Sequence, residues 1–156
     1  MTSHRPSGAE LRGAPQGDAA VLLRRISRHV PFVADRLVLA LVRLSRSYVE
    51  NAAWLATPTS TGRASVGEAR ARALVLPALL SVASDEPSVP PTHALAVVRC
   101  RRGRVVWLPP DDLWIEALTG ESARVRMPVA DVFLVTEFGW RCRPGNLAGY
   151  QPALAA

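Results

Sequence analysis

The chain has 156 residues, 49% of them hydrophobic, with 19 Lys+Arg against 13 Asp+Glu and a formal net charge of +6. That length allows one ordinary domain or two small ones, and that apolar content excludes a wholly disordered chain. All 19 cationic side chains are arginine, so Schiff-base catalysis, a Walker A lysine and Ser-Lys hydrolysis are excluded together.

Residues 1–17 carry Gly8, Gly13, Pro15 and Gly17 with no apolar period, which predicts a disordered arm. Residues 1–20, from Met1 to Ala20, lack the apolar core of a secretory signal. The longest apolar run, Leu37 to Val42, is far short of the roughly 20 residues a membrane span needs, so a cytoplasmic protein is expected. Two cysteines, Cys100 and Cys142, fit that compartment as free thiols.

Residues 18–83 read as a helical region. Asp18 suits an N-cap, with Leu22, Ile26 and Val30 on one face before Pro31. From 32 to 56 the residues Val33, Leu37, Ala40, Leu41, Leu44, Tyr48, Ala52 and Leu55 recur at spacings of three and four, which predicts a long amphipathic helix. Its near-heptad seam, Leu37, Leu41, Leu44, Tyr48 and Leu55, suits self-association, and Arg36, Arg43, Arg46 and Glu50 fall opposite. Ser65 and Glu68 fit a capping box opening a third helix, with Ala69, Ala73, Leu76 and Leu80 as its stripe and Pro77 inside it.

Residues 84–92, SDEPSVPPT, read as a proline-rich linker. Beyond it the period changes to alternation. Residues 93–146 predict a small β module, and 147–156 a tail. Ala94–Arg101 and Arg104–Leu108 form one expected hairpin; Trp114–Leu118 and Ala123–Met127, joined by Thr119-Gly120-Glu121-Ser122, form a second. The fold class expected is α+β, an N-terminal helical hairpin or three-helix layer followed by an antiparallel module of SH3-like or OB-like size.

Arg101, Arg102 and Arg104 at the first turn, Arg124 and Arg126 on the second hairpin, and Trp107 and Trp114 between them make a candidate nucleic-acid surface. Guanidinium groups pair with phosphates while indoles stack on bases. The bland alternative places the tryptophans in the core and the arginines on a wet edge. Asp111, Asp112 and Glu116 are the one carboxylate cluster an enzyme could use, although Asp after Pro-Pro also suits a turn. The stretch from Asp111 to Ala117 resembles the strand motif of LytTR-type DNA-binding domains over seven residues. The interval from Met127 to Phe138 is too short for the further strand and helix of such domains, and no membership follows.

Arginines flank both cysteines, as Arg99-Cys100-Arg101 and Arg141-Cys142-Arg143, which would activate an exposed thiol and leave a buried one inert. No ligand spacing indicates a metal or cofactor. The expectation is a non-enzymatic binding protein, a helix-mediated dimer contacting nucleic acid through its β module. The alternatives are a protein–protein adaptor or assembly subunit, and a small enzyme built on the acidic cluster.

Overall fold

The computed structural model describes residues 8–58, 67–83, 91–143 and 145–155, with side chains described from residue 17 onward. In chain order the elements are α1 (Gly8–His29), β1 (Arg36–Arg43), β2 (Tyr48–Ala56), α2 (Glu68–Val82), β3 (His93–Cys100), α3 (Pro109–Arg124), β4 (Val129–Thr136), β5 (Gly139–Arg143) and β6 (Ala148–Gly149). The strands form one open six-stranded mixed sheet, ordered β2-β1-β3-β4-β5-β6. Neighbours are antiparallel except β3 and β4, which run parallel with α3 as their connection.

This corrects the expected fold class. Helices are interleaved among strands of one sheet, so there is neither an N-terminal helical layer nor a separate small barrel. The stretch 32–56, expected as a helix, holds the hairpin β1–β2. Its central strand, RLVLALVR, is buried on both faces: Val38, Ala40 and Val42 meet α1, while Leu37, Leu39 and Leu41 meet α2 and α3. A strand buried on both faces has no polar side, so its apolar run carries no alternation to betray it. Helix propensity differs by at most about 0.7 kcal/mol among ordinary residues. Full burial of each Leu or Val is worth about 1.5–3 kcal/mol, so packing decides the conformation.

The second correction is α3. Residues 109–124 were expected as a proline stop and a hairpin, but Pro109 and Pro110 open a helix, where their missing N–H groups cost nothing. The Leu108 backbone amide donates to Asp111 Oδ2 at 2.9 Å and fixes the first turn. The hydroxyls of Thr119 and Ser122 bond back to the Ile115 and Thr119 carbonyls, so the residues read as a turn sit inside the helix. The DDLWIEA stretch is therefore helical rather than a strand.

Two apolar layers enclose the sheet. Leu22, Leu23 and Ile26 of α1, with Val30 and Phe32, pack on Val98, Phe133, Val135 and Trp140. On the other face Ala71, Val75, Leu79 and Val82 of α2 and Trp114, Ile115, Ala117 and Leu118 of α3 cover Leu95, Val97 and Val132. The α2 helix is rotated from expectation, for Ala69, Ala73 and Leu80 face solvent. Helix α1 already begins at Gly8, inside the stretch expected as an arm; the Ser65 cap and most of the 84–92 linker lie outside the described residues. Residues 151–155 close the α1 side: Trp140 Nε1 donates to the Gln151 carbonyl at 2.9 Å, and the Leu154 and Ala155 amides donate to Thr136 and Phe32 carbonyls.

Candidate interaction surface

The structure separates the residues expected to bind nucleic acid. Arg101 is buried and bound to Asp111, through Nε at 2.7 Å and Nη2 at 2.8 Å, while its remaining donors satisfy the carbonyls of Arg102, Arg104 and Val106. Trp114 is buried beneath α3, and Trp107 is half-buried with the Arg143 guanidinium stacked 4.3 Å from its ring centre. Arg102 and Arg104 are exposed before α3. Arg124 and Arg126 lie exposed at its far end, Arg124 beside Glu121 at 3.3 Å. A helix of 16 residues is about 24 Å long, so the two arginine pairs share no hairpin face.

What gathers at the β3–α3 connection is an internal ion network. Arg99 stands in one cross-sheet row with Leu37, Leu134 and Arg141, on the face that α3 covers. Its Nε lies 3.1 Å from Asp111 and its Nη1 donates to the Thr57 hydroxyl. Burial pushes the Asp111 carboxyl up, but hydrogen bonds from Arg101, the Leu108 amide and Arg99 outweigh that and hold it below the usual range. Asp111 is thus fully engaged, Asp112 pairs with Arg143 at 2.7 Å, and Glu116 is exposed. With both Asp111 oxygens taken, this cluster has no free acid and base to divide between two roles.

The cysteines are buried within the α1-side layer. Burial pushes the Cys100 thiol up to about 12 despite Arg99 and Arg36, and that of Cys142 rises for the same reason. Desolvation here outweighs the flanking guanidinium groups. Among the described residues no group of three or more His, Cys, Asp or Glu could hold a metal ion, and no helix is long and apolar enough to cross a membrane.

The expected dimer seam is also redistributed. Leu37 and Leu41 are buried in β1, Leu55 is half-buried in β2, and Leu44 and Tyr48 are exposed around the β1–β2 turn. These last two belong to a different surface. β2 is an edge strand of nine residues, and among the described residues nothing pairs with its outer side. Tyr48 and Trp54 are 59% and 46% exposed, which makes Trp54 the exposed tryptophan of the four. The Arg36 guanidinium lies 3.8 Å from the centre of the Trp54 ring. Leu80, on the adjoining α2, is exposed too, and Asn51 Nδ2 ties β2 to the Ser81 carbonyl at 3.2 Å.

A register slip sets the other end of this edge. Leu41 faces Asn51 and Val42 faces Val49, so Glu50 is the extra residue of a bulge. The bulge turns its carboxylate to Arg43 Nε at 2.7 Å and His93 Nε2 at 2.8 Å, and His93 Nδ1 meets the Thr92 hydroxyl at 2.8 Å. The Arg43 hydrogen bond, with that from His93 and both charges, lowers the Glu50 pKa against a smaller upward effect of burial. Beside it lies an open cavity of about 560 Å³ lined by Arg43, Ser45, Arg46, Tyr48 and Glu50. Sequence reasoning placed Trp54, Arg36 and Arg46 on a helix and so missed this edge; in YVENAAWLA only Tyr, Val and Trp favour a strand, against three Ala, Asn and Glu, so its composition carries no strand signal. Comparison with known proteins finds no matching family model, no matching curated protein and no matching solved structure.

Proposed function

We propose that the protein is a non-enzymatic protein-binding module, an adaptor or assembly subunit, whose working surface is the outer edge of β2. The observation that supports this is an open nine-residue edge strand flanked by exposed Tyr48, Trp54 and Leu44. Natural sheets normally blunt such an edge with charge, proline or a covering element. Here the charged Glu50 bulge blunts only the start of the strand and Asn51 Oδ1 accepts from the Ala52 amide at 2.9 Å, while from Ala53 to Ala56 the edge carries neither charge nor proline. An edge of that kind offers main-chain hydrogen bonds to an added strand, and its exposed aromatics supply side-chain selectivity.

The test is selection of ligands from a displayed library of random peptides, followed by mapping of their binding through backbone amide shifts. Enriched peptides that perturb 48–56 support the reading, and enrichment that maps elsewhere, or no enrichment, rejects it. The nucleic-acid reading keeps exposed Arg102 and Arg104 and is separated by salt. Labelled single-stranded and duplex oligonucleotides should bind weakly if at all, whereas submicromolar affinity falling by about 0.9 log unit per log salt for each neutralised duplex phosphate would favour it.

A further inference from the structure

The chemistry around the β2 edge selects an occupant, an inference that rests on that edge being the working surface. The β1–β2 turn carries Arg43 and Arg46 with Arg25 of α1 bonded to it, and Glu50 engages Arg43 among them. Arg43 is held by Glu50, Arg25 Nη1 donates to the Ser47 carbonyl at 3.0 Å, and the exposed Arg46 side chain has no acceptor among the described residues. The cavity between Arg43 and Arg46 opens beside Tyr48, where an added strand would begin or end. At the opposite end Trp54 presents an exposed indole with Arg36 against it. Tyr48 and Trp54 are six residues apart, about 20 Å along an extended strand.

We infer that the β2 edge takes an extended segment of an acidic partner protein by strand addition, an Asp or Glu entering the cavity between Arg43 and Arg46 on the α2 face and an apolar side chain farther along, an odd number of residues away, packing on Trp54 on the α1 face. An acidic segment complements the positive turn, and charged pairs of this kind set specificity and encounter rate more than affinity. A second copy of the chain fits less well, because each copy carries a net charge of +6.

The test uses the full chain and two fluorescein-labelled ten-residue peptides of alternating Thr and Val with an Ile at the Trp54 position. One begins with Glu-Glu and the other with Lys-Lys, and fluorescence anisotropy reads their affinities. The acidic peptide should bind at least ten-fold more tightly than the basic one and slow hydrogen exchange at alternate amides of 48–56. Arg46→Glu, on an exposed turn, should weaken the acidic peptide at least ten-fold and strengthen the basic one. Trp54→Ala should weaken both, and a central proline should abolish binding. Equal binding of the two peptides, or no effect of Arg46→Glu, overturns the acidic partner while leaving the edge as the working surface. Failure of both peptides overturns this inference, and the library selection then decides the broader reading independently. A concentration-dependent dimer by sedimentation that protects the same amides would replace the acidic partner with a second copy.

Discussion

Replacing Asp111 by alanine removes the one carboxylate that neutralises two buried guanidinium groups. The side chain is 0% exposed and receives Arg99 Nε at 3.1 Å, Arg101 Nε at 2.7 Å, Arg101 Nη2 at 2.8 Å and the Leu108 amide at 2.9 Å. Breaking a buried ion pair by removing one partner costs about 3–5 kcal/mol, since the other charge stays buried without compensation. Loss of the helix-opening hydrogen bond belongs in the same range of about 0.5–2 kcal/mol as other caps. The two losses share one carboxylate and do not simply add, so about 4 kcal/mol is expected. With a urea slope of about 2 kcal/mol/M, the unfolding midpoint should fall by about 2 M. Circular dichroism during urea titration measures it. A loss below about 1 kcal/mol would refute the reasoning. A second arm is a double-mutant cycle: Arg101→Met should cost less than half as much in the Asp111→Ala background as in the native chain. The acid limb gives a third. The folded pKa of Asp111 lies below its ordinary 3.8, so the stability it confers is fully present above that value and is lost as pH falls through the lower one. Asp111→Ala should flatten that limb.

Glu50 is held below its ordinary 4.5, so its bonds to Arg43 and His93 persist above that pH and dissolve as pH falls through the lowered value. A carboxyl NMR titration should give Glu50 a midpoint below 4.5 in the native chain and nearer that value in Arg43→Gln. With its thiol near 12, Cys100 is about one part in ten thousand thiolate at pH 8, so it should resist a thiol-reactive dye until guanidinium unfolds the chain; rapid native labelling at Cys100 would contradict its burial. Gly139 has φ +130°, and a Cβ there would sit 2.2 Å from the Gly149 carbonyl oxygen. Gly139→Ala should cost at least about 1–3 kcal/mol for the backbone alone, with further loss from displacing β6, read as a lowered melting temperature.

Legibility in the sequence followed local punctuation and, where that was missing, a wet face; β3 and β1 are both buried on two faces, and only β3 is bounded by proline and glycine. Strand β3, from His93 to Cys100, matches the expected strand at Ala94–Arg101 to within a residue, because proline and glycine punctuation bounds it. Helix α1 shows Leu22, Ile26 and Val30 at helical spacing because its outer face is wet. β1 hid because both faces are buried, and its leucines happen to fit a seam of spacing three and four. α3 hid for a different reason: its double proline and its Thr-Gly-Glu-Ser stretch are turn signals locally, and only packing against α2 and the Asp111 network overrides them. Of the candidate surface, Tyr48 was read as part of a helical dimer seam rather than of a strand edge, and Trp54 and Arg36 become neighbours only once β1 and β2 pair in register.

Strand β3 draws one neighbour from before it in the chain and the other from after it, β1 antiparallel and β4 parallel. A cut anywhere between Ala83 and Pro91 would therefore leave two pieces that each end in a raw sheet margin, the earlier carrying β2 and β1 and the later carrying β3 to β6. Such halves have mutually complementary hydrogen-bonding margins and mutually unfinished apolar layers, which makes the molecule a natural candidate for reassembly from fragments.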